Sequence, residues 1–481
     1  MFIGGEWVEA LDEATYEDLD PYTGEVFATV ASASAADAGR AVDAAAAAFP
    51  GWAGSPPGER RRLLLKAADV LERRQEEVAG IFAGETGGTF GWGMFNCFLA
   101  AGMLREAAAQ TYGAVGEVIP SDSPGVLSMA LRQPAGVVVG IAPWNAPLIL
   151  GTRAVALPLA YGNTVVLKPS EESPVLAGLL IAEVLEEAGF PAGVVNVVTH
   201  RASAAAEVGE ALVSHPRTAR ISFTGSSETG RKVAVTAARH LKRVLLELGG
   251  KNPLLVLSDA DLDYAVEATA FGAYLNQGQI CMSADRVIVE RSIAAEYTER
   301  LVRKAESLQA GDPRDPRTFV GPLINRRALE KVMGLVDEAR SEGAQVLCGG
   351  HAEGLVYPPT VVRGVAPRMR LYREESFGPV APIVVVEDRE EALAVANDTP
   401  FGLSAGIITR DFEAGLDLAQ RLESGIVHIN DQPVDDAPQV PFGGVKDSGV
   451  GRFGSRAALD EFTELRWITI QRTRRTFPGV S

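Results

Sequence analysis

Short runs of Val, Ile and Leu alternate with helical stretches along the middle of this 481-residue chain. The runs span only a few residues and are free of charge, as in residues 137–142 and 194–199. Such runs are typical of strands that a parallel sheet buries on both faces. Because helices separate them, the pattern predicts βαβ units and an α/β fold. The predicted strands of this region are 137–142, 165–168, 194–199, 221–224 and 244–248, and the predicted helices are 152–161, 175–188, 203–213 and 229–240.

A second region of alternating strands and helices follows the first. Two helical stretches come before the first region. The first early helix is predicted over 34–49, where Ser34 and Asp37 form a capping box, and the second over 59–86. Since 481 residues exceed what one hydrophobic core supports, two or three domains are expected. The remaining predicted elements are helices 264–276, 294–308, 327–342 and 390–396 and strands 286–290, 383–386 and 464–471, the last an exposed strand suited to pairing between subunits.

Composition argues against several classes of function. A net charge of −17 does not fit a nucleic-acid-binding surface, which needs clustered Lys and Arg. The three cysteines and five histidines show no disulfide framework and no metal-ligand spacing, so no metal site is predicted. The uncharged window 133–152 holds three prolines, which suit buried strand and turn better than a membrane helix. The first residues lack the features of a signal peptide, so we expect a cytoplasmic location and no membrane partner.

A thiol and a carboxylate stand out as candidate catalytic groups. Cys281 lies among small and polar residues in the segment 276–283, which favours an accessible thiolate. Glu247 lies upstream between apolar residues and a glycine turn. A thiol and a separate carboxylate are the minimum equipment for forming a thioester and then hydrolysing it. Taken alone, a cysteine is more often a small buried apolar residue, and a glutamate more often part of a solvated face.

Three polar segments follow successive predicted strands, where ligands of parallel sheets collect. Asn145 offers an amide donor between two prolines, and Lys168 with Glu171 pairs a cation and a carboxylate suited to ribose hydroxyls. The segment 223–230 opens a helix whose free N–H groups attract a phosphate. Each segment also has an ordinary interpretation as a turn, a surface ion pair or a strand-to-helix connection, and the usual G-x-G-x-x-G fingerprint is missing. Their conjunction with the thiol and carboxylate favours a functional site.

The chain resembles the NAD(P)-dependent aldehyde dehydrogenase superfamily over essentially its whole length. The resemblance implies a parallel-sheet dinucleotide-binding domain over 1–115 and 135–249, and an α/β catalytic domain over 250–445. It also implies a small β oligomerisation arm over 116–134 and 462–478, and a homodimer or homotetramer. The matching motifs, in order, are Pro143-Trp144-Asn145, Lys168-Pro169-Ser170-Glu171, Phe223-Thr224-Gly225-Ser226, Leu246-Glu247-Leu248-Gly249-Gly250-Lys251, Gly278-Gln279-Ile280-Cys281, Glu374-Glu375-Ser376-Phe377-Gly378-Pro379 and Pro441-Phe442-Gly443-Gly444.

The resemblance also implies catalytic roles. Cys281 would be the nucleophile and Glu247 the general base, while Asn145 and the Cys281 backbone N–H would form the oxyanion hole. The expected reaction is oxidation of a small-molecule aldehyde to the carboxylic acid through a thiohemiacetal and a thioester.

The cofactor implied by the resemblance is NAD, with NADP left open. Lys168 and Glu171 would hold the adenosine ribose, and Glu375 the nicotinamide ribose. Glu171 would repel a 2′-phosphate, whereas Lys168 and Ser170 beside it keep NADP possible. The candidate cofactor-binding residues are Trp144, Lys168, Ser170, Glu171, Gly225, Ser226, Gly230, Glu375 and Phe377.

Three segments, 278–283, 451–454 and 462–467, look most like those of benzaldehyde, salicylaldehyde and vanillin dehydrogenases. A small side chain directly after Asn145 leaves room for a planar ring. Arg153 lies about two helical turns beyond Asn145, so it faces the substrate tunnel or forms a surface charge or interdomain ion pair, and these alternatives stay open. The candidate substrate-binding residues are Ala146, Arg153, Ile280, Met282 and Phe442.

One departure from the family pattern limits the assignment of proton transfer. Phe453 stands where many relatives carry a second glutamate, so no second carboxylate is assigned to the proton path. The alternative functions are an aliphatic semialdehyde or amino-aldehyde dehydrogenase, a CoA-acylating dehydrogenase and a non-enzymatic binding protein. Glu247 argues against the CoA-acylating enzyme, because hydrolysis is what requires a base that activates water.

Overall fold

The strands of the computed structural model, which describes residues 1–479, form two large sheets and two small ones. In chain order the strands are β1 (Phe2–Ile3), β2 (Glu6–Trp7), β3 (Thr15–Leu19), β4 (Val26–Ala31), β5 (Glu117–Ile119), β6 (Val126–Pro134), β7 (Val137–Ala142), β8 (Thr164–Pro169), β9 (Val195–Val197), β10 (Thr218–Thr224), β11 (Arg243–Glu247), β12 (Asn252–Val256), β13 (Ala284–Glu290), β14 (Gln345–Cys348), β15 (Thr360–Arg363), β16 (Val380–Val386), β17 (Ser404–Ile408), β18 (Ile426–Ile429), β19 (Gly449–Val450) and β20 (Thr463–Gln471).

Helices cover the faces of the large sheets. In chain order they are α1 (Ala35–Ala53), α2 (Pro57–Arg73), α3 (Gln75–Glu85), α4 (Phe90–Gln110), α5 (Pro147–Ala160), α6 (Leu180–Ala188), α7 (Ala205–Ser214), α8 (Ser227–Arg239), α9 (Leu262–Tyr274), α10 (Arg291–Ser307), α11 (Arg326–Ser341), α12 (Arg370–Arg373), α13 (Arg389–Asn397), α14 (Phe412–Arg421) and α15 (Leu459–Phe462). Within residues 1–479, none of these helices combines the length and the apolar character needed to cross a membrane.

The first large sheet has the strand order β19-β11-β10-β7-β8-β9-β1-β2. Its central strands β11, β10, β7, β8 and β9 run parallel, as the alternation of apolar runs and helices predicts. Val138 and Val139 are both fully buried but belong to different apolar clusters, one including α5 and the other α1 and α7. Burial on both faces therefore explains why these strands are continuous apolar runs in the sequence.

The second large sheet has the order β14-β15-β16-β13-β12-β17-β18, and its strands are parallel except for β14. Residues on one face pack with α9 and α10, and those on the other with α11, α13 and α14. The short turn 248–251 connects β11 of the first sheet to β12 of the second. The ends of strands from both sheets consequently meet around this turn, which is where the candidate residues lie.

The third sheet, β20-β6-β5, is antiparallel and stands apart from the cores. The predicted terminal strand 464–471 is present as β20, and its residues are largely exposed, Trp467 to 74%. The use of this sheet in oligomerisation, like the division of the chain into cofactor-binding and catalytic domains, stays a prediction.

Several local features differ from the sequence-based prediction, and two of them concern the early helices. The helix predicted over 59–86 is divided into α2 and α3 at Arg74, whose φ and ψ of −98° and 8° leave the helical range. Helix α4 was not predicted at all. Helix α4 packs against α2, α3 and α5, but its exposed residues include Phe90, Phe95 and Phe98, so its sequence lacks the one-sided apolar period of a surface helix.

Candidate active site

A cavity of about 530 Å³ opens where the carboxyl ends of strands from the first sheet face the second sheet. The first sheet contributes the residues after β7 and β10 and those at the end of β11, and the second contributes Cys281, the start of α11 and the segment 375–377. A second cavity, about 40 Å³, lies behind the first. By volume it holds about three water molecules. Cys281, Asn145 and Leu150 line both cavities, so the thiol stands where the two spaces meet.

Two titratable groups of this region are Glu247, which is buried, and Cys281, which is partly buried. Burial raises the pKa of Glu247 to about 8, which the nearby Cys281 thiol and the charge of Arg153 partly oppose. Neither carboxylate oxygen of Glu247 has a hydrogen-bond partner among residues 1–479, so its approach to the thiol falls short of a hydrogen bond. Burial and the charge of Glu247 raise the pKa of the Cys281 thiol well above its usual range. The free protein therefore holds a protonated thiol beside a carboxyl group whose pKa lies near neutrality.

Asn145 is held firmly in the wall beside Cys281. Its backbone carbonyl accepts hydrogen bonds from Trp92 Nε1 at 3.3 Å and Asn276 Nδ2 at 2.9 Å. Its side-chain Nδ2 donates to the backbone oxygen of Gln279 at 2.9 Å. An amide nitrogen carries two N–H groups, so one remains for an oxygen bound in the cavity.

The loop that presents Cys281 has a strained backbone. Asn276 and Gln277 adopt φ values of 48° and 59°, in the left-handed region that non-glycine residues rarely occupy. The Gln277 side chain holds this shape, accepting from Gly321 N at 3.1 Å and donating to Gly87 O at 3.3 Å. Polar contacts outside the loop thus stabilise the conformation, as is usual for strain retained at functional sites.

Five of the nine candidate cofactor residues line the larger cavity: Trp144, Gly225, Ser226, Glu375 and Phe377. The Trp144 and Phe377 rings meet edge to face with centroids 5.6 Å apart. Ser226 caps α8, accepting from the Thr229 N–H at 3.3 Å, so the positive end of this helix faces the cavity.

Glu375, whose side chain is partly buried, also lines the larger cavity. Burial raises the pKa of Glu375 to about 7. Its Oε1 accepts from the Gly250 N–H at 3.1 Å, and the next residue is fixed because the Ser376 N–H donates to Asp285 at 2.7 Å. The side chain is therefore positioned before any ligand binds.

The other four candidate cofactor residues, Lys168, Ser170, Glu171 and Gly230, lie outside the walls of this cavity. Lys168 ends β8 as a buried cation whose Nζ is 2.5 Å from His200 Nε2, and within the described residues it forms no ion pair with Glu171. A Cβ at Gly230 would lie 2.4 Å from the Leu248 side chain, so this glycine lets α8 pack on the turn 248–251. Cofactor contacts of these four residues stay predictions.

All five candidate substrate residues line the narrow cavity: Ala146, Arg153, Ile280, Met282 and Phe442. The Arg153 side chain is buried, pairs with Asp436 and places its guanidinium carbon 4.0 Å from the centre of the Phe442 ring. It therefore faces the tunnel and forms an ion pair at the same time. Phe453 is buried behind it, with its ring centre 5.7 Å from the same guanidinium carbon.

Three residues of this region were not predicted from the sequence: His200, Asp436 and Trp92. Asp436 pairs with a residue 283 positions away, and His200 with one 32 positions away. Neither position belongs to a motif that spacing could reveal. Trp92 lies on α4, the helix that carries no period.

Comparisons with known proteins test the family resemblance and the predicted fold. A family model described as "Aldehyde dehydrogenase family" matches residues 7–468. The chain is 54% identical to a vanillin dehydrogenase from Pseudomonas sp. (strain HR199 / DSM 7063) over 478 residues, 99% of each chain. It is 42% identical to a benzaldehyde dehydrogenase from Pseudomonas putida whose name specifies NAD(+), covering 98% of this chain and 96% of that one. A crystal structure of a salicylaldehyde dehydrogenase from Pseudomonas putida G7 complexed with salicylaldehyde matches with a TM-score of 0.97, at 44% identity and 99% coverage of both chains. The fold predicted from the sequence is confirmed.

Proposed function

The chain belongs to the aldehyde dehydrogenase family, and we propose that it oxidises aromatic aldehydes to carboxylic acids with NAD as the acceptor. The observation that carries the proposal is the position of Cys281 between a large cavity with polar walls and a narrow, mainly apolar one. The names of similar proteins, which specify vanillin and benzaldehyde, support the aromatic substrate.

The larger cavity fits a dinucleotide. Its volume of about 530 Å³ lies in the range of small-molecule sites, and it combines an aromatic wall with the amino end of a helix. Ser226 would lie at the pyrophosphate, Trp144 and Phe377 at the nicotinamide, and Glu375 at the adjoining ribose. When bound, the nicotinamide supplies the acceptor for the hydride that leaves the substrate. Glu171 favours NAD by repelling a 2′-phosphate. Lys168 and Ser170 lie beside it and leave NADP as a possible second cofactor.

In the proposed mechanism the Cys281 thiolate attacks the aldehyde carbon to form a thiohemiacetal. Glu247 takes the thiol proton, for which a carboxyl pKa of about 8 is suited near neutral pH. The carbonyl oxygen becomes negative during the attack. The unused N–H of Asn145 Nδ2 and the Cys281 backbone N–H donate to it, and one such donor typically contributes about 10²–10³ in rate.

Loss of hydride leaves the acyl group on Cys281 as a thioester. After the thiol proton has passed from Glu247 to solvent, Glu247 removes a proton from water, whose oxygen attacks the thioester carbonyl. The bond between carbon and sulfur then breaks, the carboxylic acid leaves, and Glu247 returns the proton to the Cys281 sulfur. A CoA-acylating enzyme would not need this base. Phe453 offers no carboxylate for a second proton path.

We further propose a homodimer or homotetramer assembled through 116–134 and 462–478, in a cytoplasmic location. Support for the assembly comes from the exposed apolar side chains of the third sheet, including Val118, Leu465 and Trp467. Exposed apolar surface of this kind is typical of interfaces between subunits.

The direct test measures nicotinamide absorbance with NAD or NADP and four aldehydes: benzaldehyde, vanillin, phenylacetaldehyde and succinic semialdehyde. We expect the highest kcat/KM with an aromatic aldehyde and NAD. Faster turnover of succinic semialdehyde would support an aliphatic substrate instead. Added CoA should leave the free acid as the product, whereas acyl-CoA would contradict hydrolysis by Glu247.

A further inference from the structure

Asp436 places a carboxylate in the wall of the narrow cavity. Its side chain is only 7% exposed, and Oδ2 pairs with the buried guanidinium of Arg153. The second oxygen, Oδ1, is enclosed and has no hydrogen-bond partner in the part of the chain that the structure describes. Burial raises the pKa of this carboxyl, and the Arg153 guanidinium opposes the rise. The Ala437 backbone N–H also opposes it, but this N–H does not meet hydrogen-bond geometry. An enclosed charged oxygen without a donor is costly, so its presence at a cavity wall calls for a ligand that donates.

The surroundings of Asp436 restrict what that donor can be. Trp92, Ile149 and Phe442 make the cavity apolar, and Arg153 is held by its ring contact and its ion pair. A fully apolar ring would leave Oδ1 unpaired, whereas a ring with a hydroxyl substituent would satisfy it.

Asp436 also lies within reach of a molecule bound at Cys281. Both residues line the same narrow cavity, and the negative charge of Asp436 is felt at Glu247, where it raises the pKa. Since the cavity has space for only about three water molecules, one ring bound there contacts both ends.

We propose that Asp436 selects aromatic aldehydes that carry a ring hydroxyl, which donates a hydrogen bond to Oδ1. The inference rests on the proposed function and deepens it, from an aromatic aldehyde to a phenolic one. Arg153 acts as a positioning residue, because it keeps the Asp436 carboxylate ionised and oriented. No bond is made or broken by this contact.

The first test uses the unsubstituted protein. Values of kcat/KM are compared for benzaldehyde, its 2-, 3- and 4-hydroxy derivatives and the matching methoxy derivatives, which have no donor. At least one hydroxy isomer should exceed both benzaldehyde and its methoxy counterpart by roughly 10- to 100-fold, the range for hydrogen bonds to charged groups. Equal values for all three classes would overturn the inference while leaving aromatic oxidation intact. If no aromatic aldehyde is oxidised, the proposed function itself fails and takes this inference with it.

The second test is Asp436→Asn, which preserves shape and an acceptor for Arg153 but removes the charge. The preference for the best hydroxy isomer over benzaldehyde should fall by about tenfold or more. The control Asp417→Asn changes an exposed carboxylate on α14 that lines neither cavity and should leave that preference unaltered. Equal losses on both substrates would mean that Asp436 only anchors Arg153. A stronger preference for the hydroxy isomer, growing with pH, would mean that Arg153 binds a phenolate. Either result contradicts the proposal.

Discussion

The two cavities that meet at Cys281 are walled by different chemistry. The larger one holds carboxyl groups whose pKa burial has moved towards neutrality, about 8 for Glu247 and about 7 for Glu375. The narrow one holds aromatic and aliphatic walls and a paired charge, Arg153 with Asp436. Groups that titrate near neutral pH suit proton transfer, whereas a fixed ion pair among rings suits selection by shape and hydrogen bonding. The residues of the larger cavity therefore suit catalysis, and those of the narrow cavity suit selection of the substrate.

Two buried cations show the same contrast. Arg153 faces the carboxylate of Asp436, while Lys168 faces the neutral ring of His200. Burial lowers the pKa of Lys168 to about 8, and burial together with the Lys168 charge lowers the pKa of His200 to about 4. One cation is neutralised by its partner, and the other is only hydrogen-bonded.

Removing the sulfur of Cys281 should have the largest effect, because it is the proposed nucleophile and Cys281 lies where the two cavities meet. Cys281→Ala should abolish aldehyde oxidation while NAD affinity, measured by titration, stays within a few-fold. The control Cys348→Ala changes a partly buried thiol on β14 and should retain activity. Substantial turnover by Cys281→Ala would refute its assignment as the nucleophile.

Glu247→Gln tests the proton chemistry of the larger cavity. The amide cannot take a proton from water, so acid release should slow more than thioester formation. Rapid mixing should then show a burst of NADH followed by slow turnover. The control Glu299→Gln alters an exposed residue on α10 and should show no burst beyond that of the unsubstituted protein. If the burst is missing and cofactor reduction itself collapses, Glu247 serves mainly to form the thiolate.

Local motifs explain how much could be predicted from the sequence. Cys281, Glu247 and Asn145 come from three distant segments. Each lies at or near the end of a strand that the sequence shows as an apolar run, and such strand ends converge in parallel sheets. The pairing of Arg153 with Asp436 could not be predicted from the sequence, because the two residues lie 283 positions apart and Asp436 belongs to no motif. Helix α4 was missed for a different reason: its exposed residues include Phe90, Phe95 and Phe98, and apolar side chains on the exposed face hide the period that reveals a helix.

Removing each of the two buried cations should lower the free energy of unfolding by different amounts. Arg153→Met leaves the Asp436 carboxylate buried without a partner, which typically costs about 3–5 kcal/mol. Lys168→Met leaves only a neutral imidazole and should cost less. Urea unfolding of the two variants measures the difference, and adding Asp436→Asn to Arg153→Met should recover part of the loss. Equal destabilisation by the two single changes would show that the charge on Asp436 does not matter to the fold.

The smallest expected effect is a change in how stability depends on pH. A histidine ordinarily titrates near 6.5, whereas His200 is held to about 4 in the folded protein. Between these values the unfolded chain binds a proton that the folded chain does not, so His200 makes stability fall as pH falls through this window. His200→Gln keeps an acceptor for Lys168 but cannot titrate, so its urea midpoint should drop less between pH 7 and pH 5.

The matched control for this pH effect is His351→Gln, which changes an exposed imidazole and should keep the original dependence. If His200→Gln also keeps it, the folded protein protonates His200 as readily as the unfolded chain does. The imidazole would then be a cation beside Lys168, and the contrast between a paired and an unpaired buried charge would no longer hold.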